Sequence, residues 1–347
     1  MAGATPKLIK ELREKSGAGM LDCKKALNEC NGNIDESIKY LREAGLSKAA
    51  KKSANVAAEG IITILVNSDN TKATMTEVNS QTDFVAKNEQ FLSLTNGITA
   101  HAQENNINDA EALAASTIEG QDFPTYLNEK IAVIGENLVA RKVTNVEGTV
   151  VNGYVHLGKV GVMLAATCDA AAKDKAIDLL KKVAMHAASM KPTVISYKDL
   201  DAAFIESENK AIIADIEKLN IELHRLGKPE KNIPEYVSRV QLTDEAIAAA
   251  EATMKEELLA QGKPEKIIGN IVKGKIARWI EDNSQLDTAH ALLSQNYVMD
   301  DSMTVEEAIK ACDASIELTS YVRYELGEGI EKKEEDFAAE VAAQMSK

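Results

Sequence analysis

The chain has 347 residues, which at about 150 residues per domain argues for two or three domains. Its 40 basic and 54 acidic side chains leave a net charge of −14. That excludes a protein held to nucleic acid by a basic face and suits one that meets a basic patch on a protein partner. Aromatic residues make up only 4% while alanine, leucine, isoleucine and charged residues are frequent, which favours helices over an all-β sandwich. A hydrophobic share of 45% excludes wholesale disorder.

No segment approaches the roughly 18 uncharged apolar residues of a membrane helix, and the N-terminus has no apolar core of a secretory signal. The four cysteines, Cys23, Cys30, Cys168 and Cys312, are scattered and form no CxxC pair. Reduced thiols in a soluble, cytoplasmic protein are the expectation.

The first 45 or so residues read as three short helices. Thr5 caps the first, with Pro6 at its first position and Leu8, Ile9 and Leu12 on one face. Gly17-Ala18-Gly19 breaks it. A second helix carries Met20, Leu21, Cys23 and Leu27, and Asn31-Gly32-Asn33 is a turn. Ile34, Ile38 and Leu41 mark a third helix with Gly45 at its C-terminal cap. Residues 46–58, with Lys48, Lys51 and Lys52, read as a linker, helical or flexible, with a solvated basic face.

The pattern then becomes β-branched. Residues 60–66 and 72–79 read as a hairpin. A helix from Asp83 places Phe84, Phe91 and Ile98 at seven-residue steps, and another is expected over 124–144 with Leu127, Ile131, Ile134 and Leu138 inward. A second α+β module follows, with strands at 148–156 and 159–168, a helix at 170–190 and a returning strand at 321–326. Thr304 and Glu307 form a capping box for a helix bearing Val305, Ile309 and Cys312.

Residues 203–285 form a helical insertion. Ile205, Ile212, Ile216, Leu219, Leu223 and Leu226 follow the spacing of a coiled-coil seam. Gly-Lys-Pro-Glu-Lys occurs at 227–231 and again at 262–266. Each copy is expected to end one helix and start another, as in a duplicated helical hairpin. Phe337, Val341 and Met345 mark a last amphipathic helix.

Enzyme motifs are missing: no HExxH, GxSxG or GxGxxG, and no paired histidines. Residues 269–275 match the first seven positions of a P-loop, but Ile276 replaces the hydroxyl that would bind Mg²⁺ and no strand precedes it. Neither catalysis, a cofactor nor a resident metal is expected.

The informative segment is 77–88, Glu-Val-Asn-Ser-Gln-Thr-Asp-Phe-Val-Ala-Lys-Asn. A strand ends, a polar turn presents Thr82 and Asp83, and Phe84 opens a helix. Two readings stand side by side. Thr82 or Asp83 is a helix cap worth about 1 kcal/mol, with Phe84 in the core. Or an acid and an aromatic stand together at a rigid corner, as a probe to insert into a partner. Met20 and Leu21 are likewise core or exposed anchors, and His186 reads as packing on its helix.

This segment resembles the hallmark of the bacterial elongation factor Ts family. So does residues 12–27, Leu-Arg-Glu-Lys-Ser-Gly-Ala-Gly-Met-Leu-Asp-Cys-Lys-Lys-Ala-Leu, in which Lys15-Ser16 replace the usual Arg-Thr. Ile134-Gly135-Glu136-Asn137, Ala184-Met185-His186 and 327–331 running into 336–338 agree in order along the chain. The resemblance implies an α+β fold: a ubiquitin-associated-like three-helix domain with its linker over 1–55, and core subdomains with antiparallel sheets at 56–145 and at 146–202 with 286–328. A lengthened coiled-coil arm would occupy 203–285 and a C-terminal module 329–347. It implies guanine-nucleotide exchange on elongation factor Tu, entered in its GDP form, with Thr82, Asp83, Phe84 and Val85 disturbing the GTPase's Mg²⁺ and phosphate site. Met20, Leu21 and His156 would be partner contacts, a half-buried strand histidine being the other reading of His156, with no nucleic acid or membrane held directly. The heptads leave pairing of two complexes through the arm open, and a scaffold or adaptor without exchange activity is the alternative.

Overall fold

The computed structural model of the chain describes residues 4–331. They divide into two compact units, 4–165 with 322–331, and 166–321.

The first unit opens with α1 (Pro6–Ser16), α2 (Met20–Glu29) and α3 (Ile34–Lys52). Thr5 accepts the Leu8 N–H and Pro6 takes the first position, where its missing N–H is no loss. Leu12, Cys23, Ala26 and Leu27 are buried between the three helices. α3 does not stop at Gly45 but continues to Lys52, so most of the expected linker is helix.

β1 (Glu59–Val66) and β2 (Lys72–Ser80) form the expected antiparallel hairpin, with Val66 opposite Ala73 and Glu59 opposite Ser80. After α4 (Asp83–Ala86), α5 (Glu89–Glu104) and α6 (Ala110–Ala114) come the short strands β3 (Thr117–Ile118) and β4 (Gln121–Asp122), then α7 (Phe123–Ile134) and β5 (Val139–Glu147). The helix expected over 124–144 therefore ends at Gly135, whose φ of +91° turns the chain. Its remainder becomes β5 because the free edge of β2 satisfies its backbone groups, Lys72 standing opposite Glu147. The sheet order is β1-β2-β5.

That sheet is covered on both faces. Phe91, Leu94 and Ile98 of α5 and Phe123, Tyr126 and Ile131 of α7 pack with Val78 and Val143. On the other face Ile62, Met75 and Val146 meet Val151 and Met163, from β6 (Val150–His156) and β7 (Val160–Thr167). The central strand β2 is consequently buried from Ala73 to Ser80. Its Glu77 is a charge with no access to water, so it needs partners. One carboxylate oxygen accepts from Arg141 at 3.0 and 2.7 Å and from the Gly327 N–H at 2.9 Å. Lys142 stands 3.7 Å from the other oxygen.

In the second unit α8 (Lys173–Met190) buries Leu179, Leu180, Val183 and Ala184. It is followed by α9 (Ala202–Arg225), α10 (Asp244–Ala260), α11 (Glu265–Asp282), α12 (Gln285–His290), α13 (Val305–Cys312) and β8 (Glu317–Glu325). β8 completes a sheet of order β6-β7-β8, so the chain leaves the first unit through β7 and returns through β8. The Thr304–Glu307 capping box is formed as expected.

The heptad stripe of α9 is fully buried only at its start, and Ile212, Ile216 and Leu223 are half-buried. Ile205 is buried with Leu200, Val237 and Leu286, whereas Leu219 and Leu226 are exposed. Both Gly-Lys-Pro-Glu-Lys copies end a helix in the same way. Gly227 and Gly262 take φ of +64° and +73°, and the following lysine N–H bonds back to Leu223 at 2.9 Å and Leu258 at 3.1 Å. Only the second copy starts a helix, α11, after Pro264. The first runs into Ile233-Pro234, and a residue before proline is pushed out of the helical region, so 227–238 contain no helix. The P-loop-like segment 269–275 lies inside α11. The helix expected around Phe337, Val341 and Met345 lies outside the described residues. No helix among the described residues is long and apolar enough to cross a membrane.

Gly45 has a packing role in place of the expected cap. A Cβ there would stand 2.8 Å from Ala132 Cβ on α7. Gly→Ala in an open helix stabilises by about 1 kcal/mol, but here Gly45→Ala is expected to lower the thermal midpoint, and Ala132→Gly in the same chain to restore it. A midpoint raised by Gly45→Ala would contradict this contact.

Candidate functional site

β2 leaves the sheet at Ser80, and the chain turns through Gln81 and Thr82 into the single turn of α4. Thr82 has extended backbone, φ −121° and ψ 156°, and its hydroxyl oxygen accepts the Val85 N–H at 3.4 Å, so the cap expected there is formed. The hydroxyl proton goes elsewhere. Thr82 Oγ1 donates to Glu136 Oε1 at 2.6 Å, while the backbone N–H groups of Gln81 and Thr82 donate to Glu136 Oε2 at 3.1 and 3.0 Å. Ser80 Oγ donates to the Thr82 carbonyl at 3.0 Å. Three donors on one carboxylate lock the corner, because each bond is charge-assisted.

α4 then divides its four residues between two surroundings. Val85 and Ala86 pack on the core beneath the first sheet. Asp83 and Phe84 turn outward, and Phe84 is 81% exposed. The core reading of Phe84 is therefore corrected: it does not share the buried face of Phe91 and Ile98. α4 and α5 are separate helices, because Lys87 and Asn88 lie between them and Asn88 Oδ1 caps α5 by accepting the Gln90 N–H at 2.8 Å. Leaving a phenylalanine in water forgoes about 1.5–3 kcal/mol of burial, so an aromatic fixed there is available for another surface. Beside it Lys87 Nζ lies 2.8 Å from Asp83 Oδ2. The hydrogen bond and charge of Lys87 hold the Asp83 carboxyl below its ordinary value of 3.8, with a smaller contribution from Lys159. Asp83 thus presents a carboxylate, not an acid, at neutral pH.

The other expected contacts are placed as follows. Met20 and Leu21 open α2 and are 59% and 82% exposed, which settles them outside the core of the helical bundle. His156 ends β6, is exposed, and has its Nδ1 3.0 Å from the Tyr154 hydroxyl. None of these three is hydrogen-bonded to the corner. His186 is a packing residue in the second unit, fully buried. Its Nδ1 accepts the Val298 N–H at 3.2 Å, so Nε2 carries the proton and donates to Gln295 Oε1 at 3.0 Å.

Glu136 is the site residue that spacing did not mark. It lies 54 residues from Thr82, and its only sequence trace is its place in Ile134-Gly135-Glu136-Asn137. Gly135 ends α7, and the next two side chains point to different elements. Glu136 holds the corner, and Asn137 Nδ2 donates to the Asn55 carbonyl at 2.8 Å, fixing the chain between α3 and β1.

The sequence model of a family described as Elongation factor TS matches residues 81–234 and 232–328. The chain is 69% identical to elongation factor Ts of Aliarcobacter butzleri over the whole of both chains. It is 52% identical to elongation factor Ts of Sulfurovum over the whole of both, and 50% identical to that of Campylobacter hominis over 98% of this chain and 99% of the other. The chain belongs to the elongation factor Ts family. It is a factor of translation elongation, and the family match begins at Gln81, the first residue of the corner. The residues of α1 to α3 precede that match but fall within the full-length alignments to the elongation factor Ts relatives.

Two outcomes follow from this geometry. In Glu136→Ala, amide exchange at Gln81 and Thr82 should accelerate roughly tenfold or more, since a bond to a charged acceptor is worth about 1.5–3 kcal/mol; unchanged exchange would mean the carboxylate does not hold the corner. For His186, burial pushes the pKa below 6.5, against a smaller opposing effect of Gln295. The unfolded chain then takes the proton more readily, so the stability held above pH 6.5 is lost as pH falls below it. Chemical denaturation at neutral and mildly acidic pH should show that loss in the wild type and a smaller one in His186→Gln; equal losses would contradict the assignment.

Proposed function

We propose that this chain is a guanine-nucleotide exchange factor for elongation factor Tu, and that the Thr82–Val85 corner carries the activity. The observation that supports it most directly is an 81% exposed Phe84 beside an ionised Asp83, on a turn whose backbone is held by Glu136. A rigid apolar probe with an adjacent anion suits insertion into a protein that holds a phosphate–metal site.

A GTPase retains its nucleotide partly through a Mg²⁺ that neutralises the phosphates. Asp83, brought near that ion's ligands and waters, competes for its coordination. Phe84, seated between packed elements of the GTPase, favours a conformation that fits nucleotide poorly. Val85 and Thr82 act from behind, one by packing on the core and one by fixing the turn. Such a factor works by binding one state of the GTPase better than the other. Its effect is reciprocal, so incoming nucleotide weakens the factor's hold. The factor speeds equilibration in both directions, and an excess of GTP sets the outcome.

Met20, Leu21 and His156 would extend the contact, the first two from the ubiquitin-associated-like bundle of residues 1–55. The remaining chain would divide into core subdomains at 56–145 and at 146–202 with 286–328, an arm at 203–285 and a terminal module at 329–347. The factor would act in the cytoplasm, enter on the GDP form, perform no covalent chemistry and hold no nucleic acid itself. Pairing of two complexes through the arm belongs to the same proposal. A scaffold role rests on the α9 stripe alone and leaves the exposed acid–aromatic corner without a use.

The test is release of a fluorescent GDP from elongation factor Tu. Catalytic amounts of the chain should accelerate it strongly. Phe84→Ala should lower the maximal rate by roughly tenfold or more while docking changes less, the pattern of an interaction made mainly in the transition state. No acceleration by the wild type would leave the scaffold reading, and wild-type rates in both Asp83→Ala and Phe84→Ala would remove the site from the corner.

A further inference from the structure

β6 and β7 are joined by the two-residue turn Leu157-Gly158. The Lys159 N–H donates to the His156 carbonyl at 2.9 Å, and the two central residues have φ of +50° and +71°. This mirror-type turn matches the twist of a hairpin and is normally built from Asn-Gly or Gly-Gly. Leucine in the first position meets the Cβ clash that disfavours left-handed backbone, which asparagine tolerates better and glycine lacks. No burial offsets that strain, because the Leu157 side chain is 84% exposed. A single exposed leucine is ordinary, and so is a strained residue buried in good packing. A leucine both strained and exposed is the combination that points to use.

The turn is also fixed in place. The Gly158 carbonyl accepts the Ile62 N–H at 2.8 Å, and a Cβ on Gly158 would lie 2.7 Å from Ile61 Cγ1. Lys159 Nζ pairs with Glu59 at 2.7 Å, and Glu59 stands opposite Ser80, which leads directly into the corner. The charge of Lys159 is felt at Asp83. The turn and the corner therefore lie side by side at the same end of β1 and β2.

We propose that Leu157 is a second apolar anchor for the GTPase that receives Phe84, entering an apolar recess of that protein next to His156. The inference rests on the exchange reading of the corner and names a further contact for the same partner. Continuity with the corner selects this occupant over a second copy of the chain. Phe84 and Leu157 then form two rigid apolar points on one edge, so the partner is held by more than the probe that disturbs its nucleotide.

Leu157→Gly and Leu157→Asn test this, since each removes the apolar side chain while relieving the backbone. Thermal midpoints should stay level or rise. In the GDP-release assay the KM for elongation factor Tu should rise roughly tenfold, as expected for losing one leucine-sized buried contact, with a smaller change in kcat. A KM within about twofold of wild type for both variants would overturn the proposal, because uniform binding energy would then be absent from Leu157. So would an unchanged KM accompanied by loss of self-association in sedimentation, which would assign the residue to a second copy. Failure of the underlying reading is distinct, since the wild type alone would then leave GDP release unchanged.

Discussion

One carboxylate organises the candidate site. Glu136 accepts the Gln81 N–H, the Thr82 N–H and the Thr82 hydroxyl within 3.1 Å, and everything the corner presents depends on that arrangement. A β-strand leaving a sheet at Ser80 would otherwise carry two free N–H groups into a flexible turn. With the carboxylate in place, a helix of only four residues keeps a defined direction. Val85 and Ala86 then reach the core while Asp83 and Phe84 reach water. The exposed aromatic is thus a consequence of a satisfied backbone, not of disorder.

The carboxylate is itself positioned by packing. Gly135 ends α7 in the left-handed region, which aims Glu136 at the corner and Asn137 at Asn55. α7 is held against α3 at the close approach of Gly45 and Ala132. One elbow therefore ties together the three-helix bundle, the chain entering β1 and the corner after β2. Met20 and Leu21 on the bundle and Phe84 on the corner are exposed points of one compact unit. This supports the reading of a factor that grips a GTPase at more than one place, where reciprocity makes each contact weaken as nucleotide returns.

Local signals were legible in the sequence. The Thr5–Pro6 start, the Thr304–Glu307 capping box and the β1–β2 hairpin depend on neighbours a few residues apart, and they form as expected. The Thr82–Phe84 segment was also legible, through its residue types and its family resemblance. Decisions made by distant neighbours were not. The helix expected over 124–144 ends at Gly135, and its remainder becomes a strand because β2 offers an unpaired edge. Gly45 has the residue type of a cap, yet α3 continues because α7 packs there. Phe84 has the spacing of a core residue, but Asn88 caps a new helix and breaks the period. Glu136 carried no signal beyond its place in Ile134-Gly135-Glu136-Asn137, since its partners lie 54 and 55 residues away.

The central claim is that Glu136 acts on exchange through the corner and through nothing else. A double-mutant cycle in the GDP-release assay isolates this, because residues that share one device are not additive. Glu136→Ala should slow release in the wild-type chain and add little further loss in a background that carries both Asp83→Ala and Phe84→Ala. Fully additive losses, with Glu136→Ala as costly in that background as alone, would contradict the account.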